Sequence, residues 1–123
     1  RLARIRRKAD EAMLQSRRLH RMEIDPPETL DALLSRWSSG SIWLASLEPS
    51  ATSGLEPPGT PGPLLGLIGP EGGWHDDERR LALSAGALSV GLGSGVLRVE
   101  TAALALSVLA AQRPFLGQSS SPE

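Results

Sequence analysis

The stretch from residue 64 to residue 112 repeats one pattern twice: a short apolar run, a glycine-rich turn and a helical segment. The first run, 64–68, ends in the turn GPEGG at 69–73, and the second, 87–92, ends in GSG at 93–95. Strands that alternate with helices in this order predict an α/β fold, with a mostly parallel sheet flanked by helices. Because such sheets bind ligands at the carboxyl ends of their strands, the two turns predict a binding site.

The chain before this stretch adds further elements to the same fold. Apolar residues at three- and four-residue steps predict an amphipathic helix over 1–20 and a shorter helix over 28–37. Residues 41–46, SIWLAS, predict a strand with Ile42 and Leu44 on one face and Trp43 and Ala45 on the other. Trp37 and Trp43 are expected to belong to the core. Residues 49–63 are rich in Pro, Gly, Ser and Thr, which predicts a surface loop.

The helix that follows GPEGG is predicted over 76–85. His75 stands directly before it, Asp76 or Asp77 could cap it, and Gly86 is expected to end it. Three of its residues are expected to pack on the sheet: Leu81, Leu83 and Ala85. The last helix is predicted to end near residue 112, and a polar tail is predicted from residue 118 onward.

Composition restricts the function only weakly. The 123 residues carry a net charge of −1 and no cysteine, which excludes disulfides and thiol chemistry. No apolar run approaches the roughly 18 residues of a membrane span, and nothing beside His20 suggests a metal site. The basic residues crowd the start of the chain: Arg1, Arg4, Arg6, Arg7, Lys8, Arg17, Arg18 and Arg21. They form either a solvated face or a surface that contacts RNA phosphates.

Two groups of motifs follow one another along the chain. Near the start, Glu11-Ala12 precedes QSRR at 15–18. Later, IGPEGG at 68–73 and Glu78 precede LG at 92–93 and LRVETA at 97–102. In their order and spacing these motifs resemble the ribosomal RNA small subunit methyltransferase E family, over roughly residues 4–112.

The resemblance implies an S-adenosylmethionine-dependent methyltransferase of the SPOUT class, with a C-terminal trefoil knot. Its substrate would be N3 of a uridine in 16S-type ribosomal RNA of the small subunit. It further implies a homodimer, with neither a membrane nor a metal involved. The expected compartment is the bacterial cytoplasm, with a chloroplast or mitochondrion as the alternative.

The resemblance also implies a domain organisation. Residues 1–117 would form the methyltransferase domain, with an insertion at about 48–63, and 118–123 would be a disordered tail. The family's N-terminal RNA-binding barrel and the first strand and helix of its catalytic domain would be absent. Activity of this portion alone would then be weak.

The family's binding residues fall on the two turns and on the helix end near the start. Glycines let S-adenosylmethionine approach the backbone closely, and apolar residues supply a wall. The cofactor residues are Ile68, Gly69, Glu71, Gly72, Gly73, Leu92, Gly93, Val96, Leu97 and Thr101. Arg17 and Arg18 are expected to bind RNA.

Arg98 and Glu100 are the candidate catalytic residues. Methylation of uridine N3 requires loss of its proton, so negative charge develops on the base carbonyls, and a fixed guanidinium would stabilise that charge. Glu100, at the start of the last helix, would bond backbone N–H groups or orient Arg98. The residues do not identify the general base.

Three positions depart from the family pattern: Gly95 replaces a common arginine, Trp74 replaces Phe or Leu, and His75 replaces a Ser that caps the helix. Two other interpretations therefore stay open. One is a non-catalytic SPOUT-fold fragment or paralogue that binds only RNA or cofactor. The other is a dinucleotide-binding α/β module built on GLGSG at 91–95. The dinucleotide interpretation is weak because Val96 replaces the third glycine and no acidic residue follows about 20 residues later.

Overall fold

A computed structural model describes residues 1–15, 21–37, 40–46, 52–53, 62–92 and 98–119, with the backbone alone at 52–53 and 113–119. Eight elements lie in these ranges. In chain order they are α1 (Leu2–Gln15), α2 (Leu30–Arg36), β1 (Ser41–Ser46), β2 (Thr52–Ser53), β3 (Leu64–Leu67), α3 (Asp76–Ser84), β4 (Leu88–Gly91) and α4 (Val99–Ser119).

The strands form one parallel sheet in the order β2-β4-β1-β3. β1 is central among the longer strands, since Leu44 lies opposite Leu67 of β3 and opposite Ser89 of β4. The predicted α/β fold with a parallel sheet and flanking helices is confirmed. The prediction that Ile42 and Leu44 face one way and Trp43 the other is also confirmed.

The two faces of the sheet carry separate apolar cores. On one face the buried residues come from the sheet, α2 and α3: Leu34, Ile42, Leu44, Leu67 and Ala82. On the other face they come from the sheet and α4: Trp43, Val90 and Leu106. Trp43 is buried and Trp37 packs against the first core, as expected. The sheet is thus a middle layer between helices, and its edges remain open for a site.

The packing of α3 corrects one prediction. Ala82 is fully buried, whereas Leu81 and Leu83 are 38% and 43% exposed and Ala85 is also exposed. Residues 81, 83 and 85 share a face only in a strand, where side chains alternate. In a helix the neighbours of Ala82 on one face are three and four residues away, at Glu78 and Arg79. Both are partly buried, so α3 presents a small apolar residue and two long polar stems to the sheet.

Two further predictions are corrected, one for the loop at 49–63 and one for the end of the last helix. Residues 52–53, expected to be loop, form β2 because their backbone pairs with β4 at Val90 and Gly91. The last helix was predicted to end near residue 112, but α4 reaches Ser119 and includes Pro114. A proline inside a helix removes one N–H donor and its ring crowds the carbonyl four residues earlier, at a cost of about 3 kcal/mol, yet the backbone stays helical beyond Pro114. Residues 118–119 therefore belong to α4, and 120–123 lie outside the described residues.

α1 lies apart from the two cores, since none of its residues is buried. The predicted helix over 1–20 is confirmed for Leu2–Gln15, and 16–20 fall outside the described part of the chain. Arg6 donates two hydrogen bonds to the Ile24 carbonyl, and Arg21 forms an ion pair with Asp10. Hydrogen bonds from that guanidinium lower the pKa of Asp10 below its usual range. These contacts fold the segment after α1 back against it.

Within the described ranges, no helix is both long enough and apolar enough to cross a bilayer.

Gly40 is expected to be the glycine whose replacement is most destabilising. Its φ is +118°, and a Cβ there would lie 2.5 Å from the Pro63 carbonyl oxygen. Gly62 has a similar φ of +103° but open space around its Cβ position. Backbone strain costs about 1–3 kcal/mol at either site, and Gly40→Ala adds an overpacking cost of about 1–3 kcal/mol. Urea unfolding should show the larger loss for Gly40→Ala, and equal losses in the two variants would contradict this account.

Candidate active site

The topology brings the GPEGG turn and the end of β4 to one edge of the sheet. β3 and β4 lie on opposite sides of β1 and run parallel to it, so all three strands end at the same edge. Residues 68–73 follow β3 there, and Leu92 follows β4. Alternate strands in a sheet are about 10 Å apart, so a ligand the size of a nucleoside could reach from the GPEGG turn to the end of β4 across the end of β1.

The GPEGG turn at 69–73 is closed on one side and open on the other. The Gly73 N–H donates to the Pro70 carbonyl at 2.8 Å, and Gly73 has a φ of +84°, which favours glycine. Among the described residues, apart from each glycine's own chain neighbours, no atom lies within 4 Å of the Cβ positions of Gly72 and Gly73. The backbone of the turn is therefore accessible to a ligand at these two residues.

Trp74 holds the first glycine of the turn against the end of β1. Its indole N–H donates to the Ala45 carbonyl at 3.2 Å, and a Cβ on Gly69 would lie 3.1 Å from two indole atoms. The indole therefore occupies the space that a side chain at position 69 would need. The sequence alone assigned Trp74 no role in the site. A Trp where the resembled family has Phe or Leu was the one feature that could have indicated such a role.

Two polar contacts fix the start of α3: one closes its N-terminus, and the other joins it to the end of β1. Glu78 Oε1 accepts the His75 N–H at 3.0 Å, and Arg79 donates to Ser46 Oγ at 2.9 Å. His75 is the N-cap, so the expectation that Asp76 or Asp77 caps the helix is corrected; both lie in the first turn. A carboxylate at the third helical position satisfies the N-cap N–H best. Glu78 of the motif thus has a structural role here.

Arg98, Glu100 and Thr101 lie at the start of α4. The Ala102 N–H donates to the Arg98 carbonyl at 2.8 Å, and Ala102 is buried, which anchors this turn of helix. The side chains of Arg98, Glu100 and Thr101 are exposed. Arg98 and Glu100 form no ion pair with each other, so the expected orientation of Arg98 by Glu100 is not present.

The other predicted site residues divide into three groups. Ile68 and Leu92 are half-buried and pack against the core of Trp43, Val90 and Leu106, as an apolar wall requires. Glu71 is exposed at the tip of the turn. The remaining predicted residues lie outside the described residues: Gly93, Val96, Leu97, Arg17 and Arg18. Among the described ranges, no three His, Asp or Glu side chains are grouped as a metal site needs.

The fold and the site define a class: a parallel α/β domain with a glycine turn at the carboxyl edge of its sheet, suited to a ligand that approaches the backbone. Residues 1–111 match the RNA methyltransferase domain family. The chain therefore belongs to that family, and the resemblance read from GPEGG and LRVETA is confirmed.

Two solved structures are similar to the chain. One is a Legionella pneumophila protein described as a methyltransferase in complex with S-adenosylmethionine, at 32% identity and a TM-score of 0.76 over 89% of this chain. The other is a ribosomal RNA small subunit methyltransferase E from Neisseria gonorrhoeae bound to S-adenosylmethionine, at 30% identity and a TM-score of 0.80 over 93% of this chain. This chain covers 47% of each of them, about half their length. No curated protein sequence matches significantly.

Proposed function

We propose that this chain is the methyltransferase portion of a SPOUT-class enzyme that uses S-adenosylmethionine and methylates N3 of a uridine in small-subunit ribosomal RNA. Family membership supports RNA as the substrate. Both similar structures hold S-adenosylmethionine, and one of them is a ribosomal RNA small subunit methyltransferase E. The trefoil knot is part of the proposal, formed by the segment between β4 and α4 and the start of α4.

The edge of the sheet fits the cofactor. The open side of the GPEGG turn at Gly72 and Gly73 accommodates a ligand against the backbone, and Ile68 and Leu92 supply apolar contacts. Gly69 and Glu71 complete this side, and Thr101 approaches from α4. Gly93, Val96 and Leu97 would close the other side. When bound, S-adenosylmethionine supplies an electrophilic methyl group.

The protein's own residues then have to stabilise the negative charge that develops on the uridine ring. The N3–H bond of uridine would break and its proton would pass to a general base; N3 would bond the methyl group as the methyl–sulfur bond of the donor breaks and S-adenosylhomocysteine leaves. Charge on the flanking carbonyl oxygens would be stabilised by the exposed guanidinium of Arg98. Glu100 would favour the positive end of α4 and would bond backbone N–H groups in its first turn.

RNA binding and self-association complete the proposal. Arg17 and Arg18 would contact phosphates next to the target base. Leu104 and Val108 are 69% and 59% exposed and lie one turn apart on α4, so they form an apolar face suited to a second copy of the chain. Sedimentation equilibrium would report the resulting homodimer. The proposed compartment is one with 16S-type ribosomal RNA: the bacterial cytoplasm, a chloroplast or a mitochondrion.

The observation that carries the proposal is the open backbone of the GPEGG turn beside the ends of β1 and β4, in a chain of this family. Isothermal titration calorimetry with S-adenosylmethionine and with NAD tests it. S-adenosylmethionine is expected to bind and NAD is not. Binding of NAD without S-adenosylmethionine would overturn the proposal in favour of a dinucleotide-binding module.

A second assay separates an enzyme from a chain that only binds. Transfer of a radiolabelled methyl group to small-subunit ribosomal RNA that lacks the modification is expected, with the label recovered as 3-methyluridine. Cofactor binding without any transfer, also in the longest natural chain that contains this sequence, would favour the non-catalytic paralogue.

A further inference from the structure

Trp74 combines three features that no other described residue of the site shares. It directly follows the GPEGG turn, its indole ring covers Gly69, and its N–H reaches across to the Ala45 carbonyl on β1. It also packs partly buried against the core formed by Leu44, Leu67 and neighbouring residues. One side chain therefore contacts the turn, the sheet edge and the core.

The position of Ala45 gives this hydrogen bond its importance. Ala45 lies opposite Val90 of β4, and the next residue, Ser46, lies opposite Gly91. The accepting carbonyl is therefore at the end of the strand that lies between β4 and β3, the strand that leads into the GPEGG turn. A donor from the GPEGG side that bonds this carbonyl holds that turn at a fixed place relative to the end of β4.

We propose that Trp74 is a positioning residue: its indole hydrogen bond to Ala45 fixes the GPEGG turn in the conformation that accepts the cofactor before the cofactor arrives. The part of this inference that concerns cofactor affinity rests on the proposed function. A preformed turn binds more tightly, because apparent affinity falls with the fraction of molecules in the competent state. The residue acts on cofactor affinity and not on the methyl-transfer step.

The simpler alternative is that Trp74 only fills space in the core. Trp37 provides the comparison, because it packs partly buried against the same core. Its indole N–H is buried without a hydrogen-bond partner. A role in packing alone would make the two tryptophans equivalent, whereas a positioning role would separate them.

The test compares Trp74→Phe with Trp37→Phe in the otherwise unchanged chain. Each variant keeps an aromatic ring and removes one indole N–H, and Phe at position 74 is common in the resembled family, so the fold is expected to survive. Trp74→Phe should raise the Kd for S-adenosylmethionine about three- to tenfold, the factor that corresponds to the net worth of one hydrogen bond. Trp37→Phe should leave the Kd for S-adenosylmethionine unchanged, although it should lower thermal stability about as much as Trp74→Phe does.

Two further measurements separate positioning from packing. In methyl transfer, Trp74→Phe should raise KM for S-adenosylmethionine and leave kcat at saturation unchanged. In the free protein, amide hydrogen exchange should accelerate at Gly73, whose N–H closes the turn onto Pro70, and it should not accelerate in Trp37→Phe. An equal effect of both variants on Kd and exchange overturns the proposal.

The contact with Gly69 allows a double-mutant cycle. Gly69→Ala puts a methyl group 3.1 Å from the indole, so the ring has to shift and its hydrogen bond to Ala45 weakens. Gly69→Ala should therefore weaken cofactor binding less in a Trp74→Leu background than in the wild type. Additive effects of the two substitutions contradict the proposed contact.

Failure of the inference and failure of the proposed function give different results. If the wild type does not bind S-adenosylmethionine, the proposed function fails, and so does the part of the inference that concerns cofactor affinity. If the wild type binds but Trp74→Phe binds equally well and exchanges equally slowly at Gly73, only the positioning role is overturned.

Discussion

Arg98→Ala is expected to lower the turnover number for methyl transfer by about 10²–10³-fold, the usual effect of removing a donor that stabilises developing negative charge. The guanidinium is exposed at the start of α4 and forms no ion pair with Glu100, so it is available to a bound base. Its loss should not affect the packing, since Ala102 and Leu106 anchor α4. Steady-state kinetics with saturating S-adenosylmethionine and RNA measure the effect.

The control for this prediction is Arg80→Ala. Arg80 is an exposed arginine on α3, with a side chain that is 75% accessible. Its removal changes the net charge by the same amount and should leave turnover within about twofold, since surface substitutions rarely have larger effects. Calorimetry should give the same affinity for S-adenosylmethionine in both variants. Undiminished turnover in Arg98→Ala would remove the proposed role of this side chain.

Trp43→Ala is expected to cause the largest loss of stability, about 3–5 kcal/mol. Trp43 is 1% exposed and packs with Val90 and Leu106 between β1 and α4. A domain of this size has a total stability of about 5–15 kcal/mol, so the variant should be partly unfolded in water. Urea unfolding followed by circular dichroism measures the change.

The same substitution should weaken cofactor binding. β1 is paired with both strands that lead into the turns, and Trp43 is paired with Leu88 and Gly66 in the register. A cavity at this point loosens the sheet beneath both turns. Trp37→Ala, at a partly buried position, should cost clearly less. A loss below about 1 kcal/mol for Trp43→Ala, as for a surface position, would contradict the assignment of the second core.

Alternation and turn residues predicted much of the fold correctly. The strands at 41–46, 64–68 and 87–92 and the helices at 28–37 and 76–85 agree with the structure to within a few residues at each end. These elements depend on the local spacing of apolar residues and on nearby glycines that end helices and strands, so the sequence contains the required information. β2 was not predicted, because a two-residue strand exists only through its partner β4.

The site was predicted less completely. The GPEGG turn lies at the carboxyl edge of the sheet, as the order of strands and turns predicted, and the second turn, at 93–95, lies outside the described residues. The roles of Trp74, Arg79 and Ser46 were not predicted. Their contacts join residues that are 29 and 33 positions apart, and local patterns carry no information about such pairs.

The amino-acid sequence by itself determined the succession of strands, turns and helices, and its motifs determined the family. Both follow from residue types at short spacing, where backbone preference and side-chain chemistry act locally. Only the tertiary structure decided which face of α3 is buried, through Ala82, and how Trp74 holds the GPEGG turn to Ala45. Such contacts depend on the parallel sheet, which places the ends of β1, β3 and β4 together only after distant segments have paired.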